Sequence, residues 1–373
     1  MEPSTKGLDA LRGVLALTVF VCHSIIIFIK PLAPSLADAA GYSAHAAVMF
    51  FFALSGYVIT LSIDRNRRHG FSGRLYALSR IARLVPPLIA AIAVASAASA
   101  LLQICGLDVA PESMERSLYR TDPAKQLMSI ATLGIRGDIT GAGLNGPLWT
   151  LSYEIQLYVM AGLVAAIVFG GLTMKVVAAL TLAAYLLVAP LSPLSNMQLF
   201  DARITVIAAF FCGSLAYLLR KHNVGLALYG LAVIGMMGVV TVMQPTDEPT
   251  GHARLLLYEV AMSGLCCLVI ILIARTGSLC NWQRLGECSY TLYVLHYPLL
   301  LVPAFVLANE APHHAESPWI VLVWLTTVGA VYIVSATVAR VVEQPKQHRA
   351  FLCRWFRVHV TDAAESGGVK LPT

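Results

Sequence analysis

Charge is what this sequence has least of. Only 12% of its 373 residues are Asp, Glu, Lys or Arg, about half the share of a soluble domain. Together with 58% hydrophobic residues and a mean hydropathy of +0.73, that scarcity excludes a water-soluble globular protein and implies an integral membrane one. No CxxC spacing occurs among the eight cysteines. Cys266 and Cys267 are adjacent and expected inside the membrane, and only Cys105 is expected on an oxidising side. Neither a disulfide framework nor a zinc or other metal site is indicated. There is no glycine-rich phosphate loop, no internal repeat and no soluble second domain. The organisation expected is one transmembrane domain over 1–349, then a short cytoplasmic tail over 350–373, disordered at its end.

What is present in abundance is apolar sequence in runs near 20 residues, the length that spans a bilayer as a helix. Ten such runs lie near 8–29, 43–63, 81–102, 147–169, 172–189, 203–219, 224–243, 255–274, 289–308 and 318–341. They are continuous rather than alternating, which predicts an all-α polytopic protein and excludes a barrel. With the N-terminus inside, seven cations fall on the outer side: Lys30, Arg116, Arg120, Lys125, Arg136, Arg203 and Arg254. The other 19 of the 26 Lys and Arg fall on the cytoplasmic side, so both termini are expected there. Topology then accounts for the net charge of +6, and no nucleic-acid partner is implied. The longest extramembrane stretch, 103–146, is expected outside. Lys6 and Arg12, the apolar run after them and Ala37-Asp38-Ala39 superficially match a cleaved signal peptide. The run is too long for that reading, contains His23 and ends at Lys30.

Arg12 and His23 stand eleven positions apart in this first run. Eleven steps of a helix are roughly three turns plus 20°, so the two side chains share a face, about 16 Å apart along the axis. A cation in a membrane helix needs an end or a partner, and a deep imidazole is rare unless it works. The pair reads as an anion anchor at one surface and a proton-handling group deeper in. Asp9, one turn before Arg12, is equally explained as a local ion pair.

Further polar residues recur along the chain. In Phe50 to Tyr57 the aromatics and Ser55 read as packing, and Gly56 as a point of close helix approach. Arg80 and Arg83, one turn apart before Pro86-Pro87, lie at a depth similar to Arg12. They either hold the helix in place or, with Arg12, clamp a multiply phosphorylated ligand through their guanidinium forks. Glu154, seven residues after Pro147, is expected at the depth of His23, where a carboxylate could orient the imidazole; an interhelical hydrogen bond is the plainer alternative. Ser289, Tyr293 and His296 share a face, with His296 expected nearer the cytoplasm as a packed histidine or a catalyst. Glu343, before Gln344-Pro345, suits a structural role at a helix end.

Six segments in order over nearly the whole chain resemble the membrane-bound acyltransferase 3 family, which contains O-antigen, nodulation-factor and exopolysaccharide O-acylases. They are LDALRG with His23 eleven after Arg12, FFALSGY at 51–57, Arg80-x-x-Arg83 followed by prolines, PLWTLSYE at 147–154, SYTLYVLHYP at 289–298, and Glu343-x-Pro345. The resemblance implies ten spans in a bacterial inner membrane. It also implies transfer of an acyl group, acetyl foremost, from cytoplasmic acyl-CoA to a hydroxyl of a cell-surface or exported saccharide, free or lipid-linked. The family's Arg-x10-His pair maps on Arg12 and His23, and its Arg-x-x-Arg on Arg80 and Arg83. His23 and Glu154 are then the catalytic candidates, and Arg12, Arg80 and Arg83 the acyl-CoA-binding ones. Trp149, Tyr153, Tyr293 and His296 are candidates for substrate contacts. Some members carry an extra periplasmic hydrolase-like domain, absent here, so either the membrane domain suffices or a separate periplasmic protein helps. Whether His23 acts as base or carries the acyl group stays open, as do the acyl group, the acceptor and the oligomeric state. A proton-coupled transporter is the competing class, but neither inverted repeats nor paired broken helices are present. An acyltransferase for a non-saccharide metabolite is the other alternative.

Overall fold

A computed structural model describes residues 5–68, 70–107, 145–188, 197–220, 226–242, 251–310 and 318–358. Most of the expected outer stretch 103–146, with its four cations, lies outside the described residues, as do Lys221 and Lys370. Among the described residues there is no strand. A helix covers each of the ten apolar runs: α1 Lys6–Phe28, α2 Pro34–Arg67, α3 Gly73–Ile104, α4 Trp149–Phe169, α5 Leu172–Val188, α6 Met197–Leu219, α7 Leu226–Val242, α8 Gly251–Thr276, α9 Ser289–Glu310 and α10 Ile320–Val342. An eleventh, α11 Pro345–Trp355, crosses the expected boundary at 350 and packs on α3. Short 3-10 turns at Gly146–Leu148 and Cys280–Cys288 lead into α4 and α9. Among the described residues, six helical segments are long and apolar enough to cross a bilayer, and three shorter apolar ones accompany them. The chain is a multi-pass membrane protein.

Local rules set the ends of these helices. Pro34 occupies the first turn of α2, where its missing N–H costs nothing. The Ser72 hydroxyl accepts from the Leu75 amide at 3.3 Å and caps α3. Both helices therefore run past the apolar spans expected from hydropathy. Of the arginines from 65 to 83, Arg65 and Arg67 finish α2, and Arg74, Arg80 and Arg83 lie in α3. Ala37-Asp38-Ala39 lies inside α2.

Helix α1 is the hub, in contact with α2, α8, α9, α10 and the Cys280–Cys288 turn. Lipid tails are as apolar as leucine, so helix association here relies on close packing of small residues rather than on the hydrophobic effect. A Cβ on Gly13 would fall on the Leu285 backbone, and one on Gly286 would fall on the Asp9 carbonyl. Likewise α2 meets α6 through a reciprocal pair. A Cβ on Gly56 would strike the Phe210 carbonyl, and one on Gly213 the Ala53 carbonyl. The expectation of close approach at Gly56 holds, with α6 as the partner.

Helix α9 carries two internal prolines, Pro298 and Pro303. Pro298 has no N–H for the Val294 carbonyl one turn earlier. The buried Asn145 side chain donates to that carbonyl instead, at 2.8 Å, fixing the entry of α4 against the middle of α9. The start of α9 is held by Glu343, at the end of α10. Its carboxylate accepts from the Tyr290 and Thr291 amides at 3.2 and 3.0 Å and from the Thr291 hydroxyl at 2.9 Å. An anion there satisfies orphan first-turn donors and suits the positive end of the helix dipole. The structural role expected for Glu343 is the one observed.

Candidate functional site

Two polar centres lie inside this bundle, side by side along α9. The first is a pair of histidines. His23 Nδ1 is 2.8 Å from His296 Nε2, with the rings nearly coplanar at 11°. His296 is fully buried and His23 half-buried. Phe20 and Tyr297 flank the pair edge-on.

Hydrogen-bond bookkeeping assigns the protons when both rings are neutral. His296 Nδ1 lies 2.7 Å from the Tyr293 carbonyl and 3.2 Å from the Leu292 carbonyl. Carbonyls only accept, so Nδ1 carries the hydrogen and His296 Nε2 is left as an acceptor. His23 Nδ1–H must then donate to it, which leaves the lone pair of His23 on Nε2. A histidine held in that tautomer is ready to take a proton from a hydroxyl.

The second centre is a cavity of about 620 Å³, counting its open mouth. Its polar lining comprises Arg12, Ser55, Arg83, Thr150, Glu154, Tyr158, Tyr290 and Tyr293, and Val48, Phe51, Phe52, Leu54 and Val58 complete the wall. Arg12 pairs with half-exposed Asp9 at 3.0 Å. Glu154 accepts from Ser55 at 3.4 Å and from the Tyr158 hydroxyl. Tyr293 bonds Thr150 at 2.8 Å; since Thr150 donates to the Pro147 carbonyl at 2.9 Å, the tyrosine is the donor. The Tyr293 ring packs against Phe51 at 5.4 Å and His296 at 5.9 Å. Tyr293 thus joins the cavity to the histidine pair.

Several expected relations change. Glu154 does not meet His23: its partners are Tyr158 and Ser55, and the imidazole's partner is His296. Counting residues from a helix end gives depth only when helices start level. α2, at 34 residues, is about 51 Å long, well over the roughly 30 Å of hydrocarbon. For the same reason His296 meets His23 at one level of the bundle. Arg80 does not line the cavity. Its guanidinium lies between the Tyr76 and Tyr158 rings, 5.7 Å from each centroid, and donates to Ser62 at 3.0 Å. It braces the wall behind Tyr158, whose carbonyl accepts from the Tyr76 hydroxyl at 2.8 Å. Trp149 and Tyr153 pack on each other edge-to-face at 5.7 Å and are not among the lining residues, whereas Tyr293 is. Arg12 and Arg83 both line the cavity.

Sequence reasoning read Ser55 as packing and gave Tyr158 and Tyr290 no role. The signal for two of them was helical spacing: Tyr158 is one turn after Glu154, and Tyr290 one turn before Tyr293. Ser55 had no such mark, because its neighbour is on another helix.

Groups of three or more His, Cys, Asp and Glu side chains able to hold a metal ion do not occur among the described residues. Compared with known families, the chain matches a family model described as an acyltransferase domain over residues 5–339. No curated protein and no solved structure matches it.

Proposed function

The chain belongs to the acyltransferase 3 family, and from that premise we propose that this membrane acyltransferase takes its acyl group, acetyl in the simplest case, from cytoplasmic acyl-CoA. The acceptor is a hydroxyl of a cell-surface or exported saccharide. The protein crosses a bacterial inner membrane ten times with both termini inside. The observation that carries this reading is the adjacency of the arginine cavity and the histidine pair, which share Tyr293 as a neighbour.

Coenzyme A is polyanionic with a long thioester arm, and the two centres divide accordingly. Arg12 and Arg83 bind phosphate, where guanidinium forks are strongest. The arm runs along α9 past Tyr293, and the thioester reaches His23. The acceptor hydroxyl gives its proton to His23 Nε2, its oxygen attacks the thioester carbonyl, and the coenzyme A thiolate leaves and takes up a proton. His296 is a positioning residue, acting through the tautomer of His23. Glu154, with Tyr158, balances the charge of Arg83 and aligns the arm. Arg80 supports that wall.

Sealed inverted vesicles test the reading, with labelled acetyl-CoA outside and saccharide acceptor either outside or enclosed. Label should pass to enclosed acceptor, on the side opposite the coenzyme. Labelling confined to acceptor on the coenzyme side would overturn transfer across the membrane, and none on either side would overturn the donor.

A further inference from the structure

Tyr290 is buried, with 9% of its surface exposed, and its hydroxyl has no hydrogen-bond partner among the described residues. It lines the same cavity as Arg12 and Arg83. Arg83 is half-buried and lies within electrostatic range of Tyr158, Glu154 and Glu343. Arg12 gives one nitrogen to Asp9 and keeps the rest of its five donors. A buried hydroxyl without a partner is costly, and of the buried polar atoms in that state among the described residues, the Tyr290 hydroxyl is the one whose residue lines the cavity.

The position of Tyr290 is not accidental packing. Its amide donates to Glu343 at 3.2 Å, and Thr291 is tied twice to the same carboxylate. That clamp fixes the first turn of α9 and directs the ring to the cavity. The result is a phenol donor beside two guanidinium forks, a set complementary to oxygens that carry negative charge.

From this geometry we infer that the Tyr290 hydroxyl and Arg83, with Arg12, form the subsite that binds a phosphate of the donor. The inference rests on the acyl-CoA reading for the donor's identity, while the anion subsite itself stands on the unpartnered Tyr290 hydroxyl and the two guanidinium groups that line the cavity with it. Tyr290 is then a binding residue for the ligand, and its hydroxyl contributes nothing to folding.

Titration of CoA, and separately of inorganic pyrophosphate, into wild-type protein and Tyr290→Phe in nanodiscs provides the test. The variant should bind CoA about tenfold or more weakly. Its unliganded thermal midpoint should equal or exceed that of wild type, since no contact within the protein is lost. Equal CoA affinities would overturn the subsite and leave the acyl-CoA reading intact. Pyrophosphate binding that depends on Tyr290, with no CoA binding, would overturn the donor and keep the subsite. Binding of neither ligand by wild type would overturn both. A lowered midpoint, or failure of the variant to fold, would mean that the hydroxyl has a partner within the protein and would also overturn the subsite.

Discussion

Helices α1 and α7 are both apolar, yet they do opposite work. In α1, 13 residues are buried, with Arg12 and His23 on the face between them. In α7, Leu228, Leu231, Ile234 and Met237 are all more than half exposed, and the helix packs chiefly on α8. α5 resembles α7, with Leu172 at 80% and Leu180 at 67% exposed. The most apolar helix, α7, is thus one of the outer ones. In lipid, leucine serves on the surface as well as in the core, and what sets the interior apart is glycine, serine, tyrosine and paired charge. Apolarity alone therefore does not mark depth in this bundle as it does in soluble domains, because leucine lines both the core and the outer face.

The largest effect expected from breaking that comparison is at His23. His23→Ala should lower acyl transfer about 10²–10⁴-fold, while membrane abundance stays near wild type. Retained transfer would remove His23 from the chemistry. His296→Ala should cost less, because the base remains but its tautomer is no longer set. His296→Gln, whose amide oxygen can accept from His23 Nδ1–H, should recover part of the rate. A solely structural His296 would show no such rescue. In both the wild type and the Gln variant the rate should fall as pH drops, since a proton on Nε2 removes the lone pair.

Next in size are the arginines, which sharpen the distinction between a cavity wall and its support. Arg83→Ala should weaken CoA binding by about 1.5–3 kcal/mol, roughly tenfold to over a hundredfold. Arg80→Ala should weaken it less, through loosening of the Tyr158 wall, with a drop in thermal stability. CoA titration and unfolding of both variants decide this, and equal losses would put Arg80 back among the direct ligands. Glu154→Gln should slow transfer without changing the shape of the pH profile, because Glu154 is bonded to Tyr158 and Ser55 rather than to His23.

The smallest effect belongs to the outer helices. Leu231→Ala should alter stability by no more than about 0.5 kcal/mol. Gly56→Leu, at the α2–α6 contact, should by contrast abolish or severely impair folding, because the clash there is with backbone. Detergent-resistance melts of the two variants separate lipid-facing from interior positions directly. Similar melts would mean that α2 and α6 do not depend on close approach.

Much of the arrangement within single helices was readable beforehand. Arg12 and His23 lie on one face of α1, Gly56 meets another helix, and Glu343 serves at a helix end, because 3.6-residue periodicity and end chemistry are local properties. The partners of the site residues were not readable. Pairing Glu154 with His23 assumed level helix ends, and grouping Arg80 with Arg12 and Arg83 assumed that one level means one wall.

By itself, the sequence determined that this is a helical membrane protein, that it is an acyltransferase by family, and that one arginine and one histidine share the face of α1. Those conclusions need only composition, the helical repeat and the order of motifs along the chain. The tertiary structure alone decided that His296 sets the tautomer of His23, that Glu154 belongs to the arginine cavity, and that Arg80 stands behind it. Each of those contacts joins helices far apart in sequence. Apolar helices slide and rotate against one another at little hydrophobic cost in lipid, so only glycine contacts and satisfied polar groups select the register in which these side chains meet.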